Sequence, residues 1–207
     1  GWFGQASGMA AMVHESDPNV TIRVVPGGGT ANPTKVQNGT SQIGTGLDIF
    51  LKAAYDGTGI YEGKPHDKLR LIGMSFSDIY LHMVVAKNAP IQDMDTLFKE
   101  GKDISIAVTK VGSSDEQTFR YLMEHYGTSY DDLKSRGWKL NLVEYSTAAS
   151  QFGDGIVDYV FNALGIPGAA IVEGMQARPA TIMPFPEATL TAMGEKFGYG
   201  HKTLAAG

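Results

Sequence analysis

Hydrophobic positions along this chain follow two periods that take turns. Ile104-Ser105-Ile106-Ala107-Val108 alternates like a strand with one buried face, while Phe119, Leu122, Met123 and Tyr126 are spaced as on one face of a helix. Between them lies Lys110-Val111-Gly112-Ser113-Ser114-Asp115-Glu116, so residues 104–126 predict strand, glycine turn and helix. Ser113 and Glu116 stand at capping-box spacing: the hydroxyl takes one free backbone N–H and the glutamate returns to the cap's own N–H. A similar rhythm opens the chain. Met9, Met12 and Val13 mark a helix over 8–14 that stops before Asp17-Pro18, and the β-branched run 20–25 predicts a strand. After the turn Pro26-Gly27-Gly28-Gly29-Thr30-Ala31, Asn32 and Pro33 read as N-cap and first helical residue of a short helix over 33–38, stopped at Asn38-Gly39. Residues 41–45 predict a third strand. Asp48 then caps a helix that ends at Asp56-Gly57, and 58–67 is a polar loop.

The second half continues the alternation. Strands are predicted over 69–74 and 80–85, with Ser75-Phe76-Ser77-Asp78 between them as the passage from one lobe to another. Helices follow at 91–100, 114–126, 147–152, 167–175 and 187–197, and strands at 104–108, 139–145, 158–161 and 180–183. Strands alternating with helices imply an α/β fold of mostly parallel sheets flanked by helices. Ligands of such sheets sit beyond the carboxyl ends of the strands. There Gly28 to Asn32, Asp48, Gly112 to Asp115 and Asn162 to Pro167 are expected to gather.

Composition narrows the chemistry. A chain of 207 residues has room for one large domain or two lobes. Net charge is −5 with Lys and Arg scattered singly, so no basic stripe awaits a nucleic acid. No apolar run reaches the roughly 18 residues of a bilayer span. Zero cysteines exclude disulfides and thiolate metal sites. His14, His66, His82, His125 and His201 show no metal-ligand spacing, and G-x-S-x-G, P-loop and dinucleotide fingerprints are absent. Asp78 and His82 are a conceivable pair for orienting a serine, but nothing forces them together. No cofactor or metal is expected.

Helix starts rich in Gly, Ser, Thr and Asn, without a nucleophile or base set, suit binding of an anionic group. The candidate contacts are Thr30 and Asn32, Asp48, the turn Gly112, Ser113, Ser114 and Asp115, and Asn162 just past its strand, with Phe3 and Tyr80 covering an apolar part. Plainer roles compete. Ser113 and Asp48 serve equally as pure caps, and Asp48 alternatively receives an ammonium group. Tyr80 and Phe161, either of which can cover a ligand, also suit the core, and mid-strand Phe161 is expected there. Arg178 either faces an acidic ligand or is simply exposed.

Several of these turns resemble the TAXI-type solute receptors of TRAP transporters. Gly27-Gly28-Gly29-Thr30-Ala31-Asn32 resembles that family's G-G-S-x-x-N turn, and Asn38-Gly39-Thr40-Ser41-Gln42-Ile43-Gly44 its x-G-x-x-D-[LI]-G stretch, with Gln42 in place of aspartate. Val111-Gly112-Ser113-Ser114-Asp115-Glu116 falls where the family has G-S-G-T-E. Gly155-Ile156-Val157-Asp158 resembles G-x-I-D, and Gly165-Ile166-Pro167 with Ala170-Ile171 resembles G-x-P-x-x-A-I. The resemblance implies a two-lobe type II periplasmic-binding-protein fold, with lobe I at 1–79, lobe II at 80–185 and a return segment from 186–207. It implies hinge closure around a small organic anion or amino acid, such as glutamate, glutamine or a dicarboxylate, which is passed to a TRAP membrane permease. A periplasmic or extracytoplasmic monomer without enzymatic activity or stable membrane insertion is expected. The opening Gly1-Trp2-Phe3-Gly4 reads as mid-protein sequence, and the family's first strand and last segment are expected to be missing. Two rivals stand beside this reading. One is an enzyme on the same architecture, such as a pyrimidine-precursor synthase or a phosphoribosyl- or porphobilinogen-processing enzyme, the last weakened by the absent cysteine. The other is a ligand-sensing module or surface antigen.

Overall fold

Trp2–Ser16 forms α1 in the computed structural model, which describes residues 2–202. The helix ends where expected: Pro18 disfavours helical backbone at Asp17, whose carboxylate instead accepts the Asn19 N–H at 3.0 Å. The chain divides into two compact units, Gly1–Arg70 and Leu71–Gly207.

In the first unit α1 is followed by α2 (Asn32–Gln37), α3 (Asp48–Asp56) and a single 3-10 turn, Gly59–Tyr61. Gly57 closes α3 in the left-handed region at φ 69°, and a Cβ there would stand 2.7 Å from the Pro65 nitrogen, so both conformation and space require glycine. Phe50, Ala54, Tyr61 and His66 make its buried centre. The strands predicted at 20–25 and 41–45 are irregular chain here, as is the one at 69–74. Val20, Ile22, Val25, Ile43, Leu71, Ile72 and Met74 are exposed, and these runs enter no strand ladder among the described residues. β-Propensity expresses packing and pairing with neighbouring strands, so β-branched runs without a partner do not become strands.

The second unit is built on one five-stranded sheet in the order β3-β2-β4-β1-β5. Its strands are β1 (Tyr80–Ala86), β2 (Ser105–Val108), β3 (Lys139–Leu142), β4 (Tyr159–Leu164) and β5 (Ala180–Met183). β2 lies parallel to β3 and β4, while β1 runs antiparallel to β4 and β5, so four strands point one way and β1 the other. The α/β class with a mostly parallel sheet flanked by helices therefore holds. Both faces of β4 are buried from Tyr159 to Ala163, which explains its unbroken apolar start.

The flanking helices are α4 (Met94–Glu100), α5 (Ser114–His125), α6 (Tyr130–Ser135), α7 (Tyr145–Gly153), α8 (Ala169–Ala177) and α9 (Glu187–Phe197). α6 escaped the periodicity because it is only one and a half turns long, although Ser129 caps it by accepting the Asp132 N–H at 3.2 Å. Phe161 of β4, Phe119 of α5 and Phe98 of α4 pack in series, with ring centroids 5.5 and 5.7 Å apart. Phe161 is core, and it marks the face covered by α4 and α5. α9 lies on α5 through the Tyr121–Phe197 stack at 3.8 Å and the buried Met193. The opposite face carries α7 and α8, where Gly174 lets Phe152 approach to 3.4 Å of where its Cβ would be.

Candidate functional site

Buried polar side chains of the second unit collect at one edge of its sheet, where β2 and β4 end and the antiparallel β1 begins. The last β2–β4 pair is Val108 with Phe161, whereas β1 follows β4 as far as Tyr80 with Leu164. β4 thus projects past β2, and its next backbone groups need other partners. Asp115 and Tyr145 supply them, from the first turns of α5 and α7. Oδ2 of Asp115 accepts the Ala163 N–H at 2.7 Å and the Tyr145 hydroxyl at 2.9 Å, and the Ser114 hydroxyl donates to Oδ1 at 3.2 Å. The Tyr145 hydroxyl also lies 3.3 Å from the Ala163 carbonyl. Burial holds the Asp115 carboxyl above the usual carboxylate range, against the lowering effect of these donors. The Tyr145 phenol is pushed upward by burial and then by Asp115. Both oxygens of Asp115 are engaged inside the protein, so it anchors the edge.

Ser113 caps α5, accepting the Glu116 N–H at 3.1 Å, and its hydroxyl pairs with that of Thr109 at 2.7 Å. The expected capping box is only half formed. The Glu116 carboxylate turns away to accept from Arg120 Nε at 2.6 Å and from the Tyr130 hydroxyl at 2.9 Å, in a nearly closed position. A charged hydrogen-bonded partner outweighs one more backbone N–H. Gly112 sits at φ 88°, the left-handed turn that glycine permits. Lys110 and Glu144 form an exposed ion pair above it.

Asn162 lies inside β4, opposite His82, and not past the strand's end as its sequence position suggested. It is 1% exposed, and its Oδ1 is the buried side-chain atom without a hydrogen-bond partner among the described residues. Strand alternation places its side chain with Leu164, on the face opposite Phe161. There the start of α8 closes on the strand: a Cβ at Gly168 would stand 3.1 Å from the Leu164 Cβ. Glu144 and Gly168 hold the N-cap positions of α7 and α8, and neither makes a side-chain cap bond. Their first-turn N–H groups suit a negatively charged group. His82 Nε2 faces the Leu164 carbonyl at 3.3 Å, and burial pushes its pKa down, so the ring is neutral and Nε2 carries the proton.

Tyr80, Gly112, Ser113, Ser114, Asp115 and Asn162 therefore share one edge of the second unit, with Tyr80 half-buried and 3.4 Å from Asp78. Phe3, Thr30, Asn32 and Asp48 belong to the first unit. Asn32 is not the cap of α2. Ala31 holds that position, and the Asn32 amide accepts the Gly28 N–H at 3.1 Å while donating to the Thr45 carbonyl at 2.9 Å. The Thr30 carbonyl accepts the Tyr61 hydroxyl at 2.6 Å. Leu47, not Asp48, occupies the cap of α3; exposed Asp48 is its first residue and bonds the Ile49 N–H at 2.8 Å. Phe3 is exposed on α1. Arg178 is neither freely exposed nor turned to a ligand: it bridges Asp158 at 2.8 Å and Asn88 at 3.0 Å, and holds the Val157 carbonyl at 3.1 Å.

Two participants were missed in the sequence. The sequence pattern places Tyr145 at the end of a strand, and it offers His82 only as a partner for Asp78 or as one of five histidines without metal-ligand spacing. A polar residue in an otherwise apolar strand was the available signal for His82. Among the described residues no cluster of potential metal ligands forms, and no helix is long and apolar enough to cross a membrane.

Comparison with known proteins gives a family and a structural likeness. The NMT1-like family model matches residues 2–207. A solved structure described as the periplasmic sulfonate-binding protein SsuA of a sulfonate ABC transporter from Methylobacillus flagellatus KT is 21% identical, with a TM-score of 0.38. That match covers 50% of this chain and only 27% of the other.

Proposed function

This chain belongs to the NMT1-like family, and from that premise we propose that it is a non-enzymatic, extracytoplasmic receptor for a small carboxylate-bearing solute. The family match supports a fold of the periplasmic solute-binding type. The observation that carries the reading is the polar edge of the second unit: buried Asn162 inside β4, and the side-chain-uncapped starts of α7 and α8 beside it. Open α/β sheets use that position for ligands. The solute's negative group meets first-turn N–H groups, and neutral side chains set its orientation. The likeness of the Gly27 to Asn32 and Gly112 to Glu116 turns to TAXI-type receptors supports a TRAP-type permease as the partner that receives the solute, and an amino acid or dicarboxylate as the cargo.

Thermal-shift screening of amino acids, dicarboxylates, nucleotides and divalent metals, followed by calorimetry on any hit, tests the reading. A carboxylate solute present at a hundred times its Kd stabilises the folded chain by about 2.7 kcal/mol and raises the melting point. A response confined to nucleotides or metals, or no response to any acid, overturns it.

A further inference from the structure

Resting on the receptor reading above, we propose that the solute carries a hydrogen-bond donor beside its acidic group, as a 2-amino or 2-hydroxy acid does, and that Asn162 Oδ1 is the acceptor that selects for it. A carbonyl oxygen closed off from water without a partner is uncommon in a folded protein and destabilises it. The donors described at this end of the unit are already committed. The Ala163 N–H and the Tyr145 hydroxyl go to Asp115. His82 gives Nε2–H to the Leu164 carbonyl, which leaves Nδ1 of the neutral ring as an acceptor. The Thr109 and Ser113 hydroxyls pair with each other, and Ser113 also holds the Glu116 N–H. Asn162 is therefore an acceptor that the protein leaves unanswered, inside β4 on the face that the start of α8 closes on.

Its neighbourhood defines the other half of the solute. Asn162 shares a face with Leu164, against which Gly168 and the uncapped start of α8 are packed. The helix start attracts an anionic group, and the amide oxygen takes an N–H or O–H from the same molecule. A plain carboxylate or dicarboxylate fills the first role and leaves Oδ1 as it is.

The test compares matched trios in the wild-type chain by calorimetry: alanine, lactate and propionate; glutamate, 2-hydroxyglutarate and glutarate; leucine, 2-hydroxyisocaproate and 4-methylpentanoate. The amino and hydroxy members separate an N–H donor from an O–H donor. The expected result is a trio in which a donor-bearing acid binds at least tenfold more tightly than its unsubstituted analogue. Asn162→Leu, which removes the unpaired oxygen at similar volume, melts no lower than the wild type without solute and loses the tenfold preference. Asn162→Asp, a second variant that keeps the acceptor, retains the preference for the amino acid. Equal affinity for the unsubstituted acid, or a preference that survives Asn162→Leu, overturns this inference and leaves the receptor reading standing. Binding of no acid in any trio overturns both.

Discussion

The backbone N–H of Ala163 on β4 donates to the carboxylate of Asp115 on α5 at 2.7 Å. A helix start thereby takes the place of the strand neighbour that β2 no longer provides beyond Val108. Asp115→Ala leaves that N–H without its acceptor and the Tyr145 hydroxyl with only the Ala163 carbonyl, 3.3 Å away. The expected loss is about 1–3 kcal/mol, because buried donors lose their partner while nothing new solvates them. Urea unfolding measures it, and an unchanged midpoint would contradict the anchoring role.

Asp115 also gives stability a pH dependence. Burial raises its folded pKa above the unfolded value, so the native chain binds the proton more tightly than the unfolded chain. Its contribution to stability is therefore greatest below the ordinary carboxylate pKa, about 3.9, and declines as pH rises through the folded value. Asp115→Asn removes that decline. Unfolding free energies of wild type and variant, measured from about pH 4 upward, are expected to converge or cross in this sense; a wild-type component rising with pH would refute it.

His82 acts in the opposite direction. Desolvation depresses its folded pKa, and the Leu164 carbonyl opposes the shift only in part. The stability it contributes is complete above the unfolded value of about 6.5 and is lost as pH falls through the lower folded value. His82→Gln flattens that acid limb. Histidine ring resonances followed by NMR titration report the group directly: a His82 midpoint at or above 6.5 would contradict burial as the controlling cause.

Ser113→Ala removes the α5 cap and leaves the Thr109 hydroxyl without its partner. A destabilisation of about 1 kcal/mol is expected, as for other N-cap serines, and Ser113→Asp should recover most of it. Because Ser113 Oγ is already occupied by the Glu116 N–H, calorimetric affinity for a solute should change less than stability does. A large affinity loss with an unchanged melting point would place Ser113 in direct contact with the solute.

Much of the second unit was readable as sequence. The alternation at 104–108 became β2, the i, i+3, i+4 spacing after Ser114 became α5, and the predicted helix at 187–197 is α9 as observed. Ser113 capped its helix as its position indicated. Local geometry dominates in these segments: period, cap and glycine turn act over a few residues. The same reasoning overreached at 20–25, 41–45 and 69–74, where short apolar or β-branched stretches have no ladder partner among the described residues. It underreached at α6, a helix too short to show a period.

The sequence by itself determined the glycine turn at Gly112, the start of α5 at Ser113, and the buried faces of β2 and α5, because those properties belong to neighbours along the chain. Only the tertiary structure decided what each polar group meets. Glu116 left its box for Arg120 and Tyr130, Asn32 became a clasp between Gly28 and Thr45, and Asn162 was enclosed within β4 with its oxygen unanswered. Those outcomes depend on distant segments being packed out of water, where a hydrogen bond or its absence carries energetic weight that local sequence does not encode.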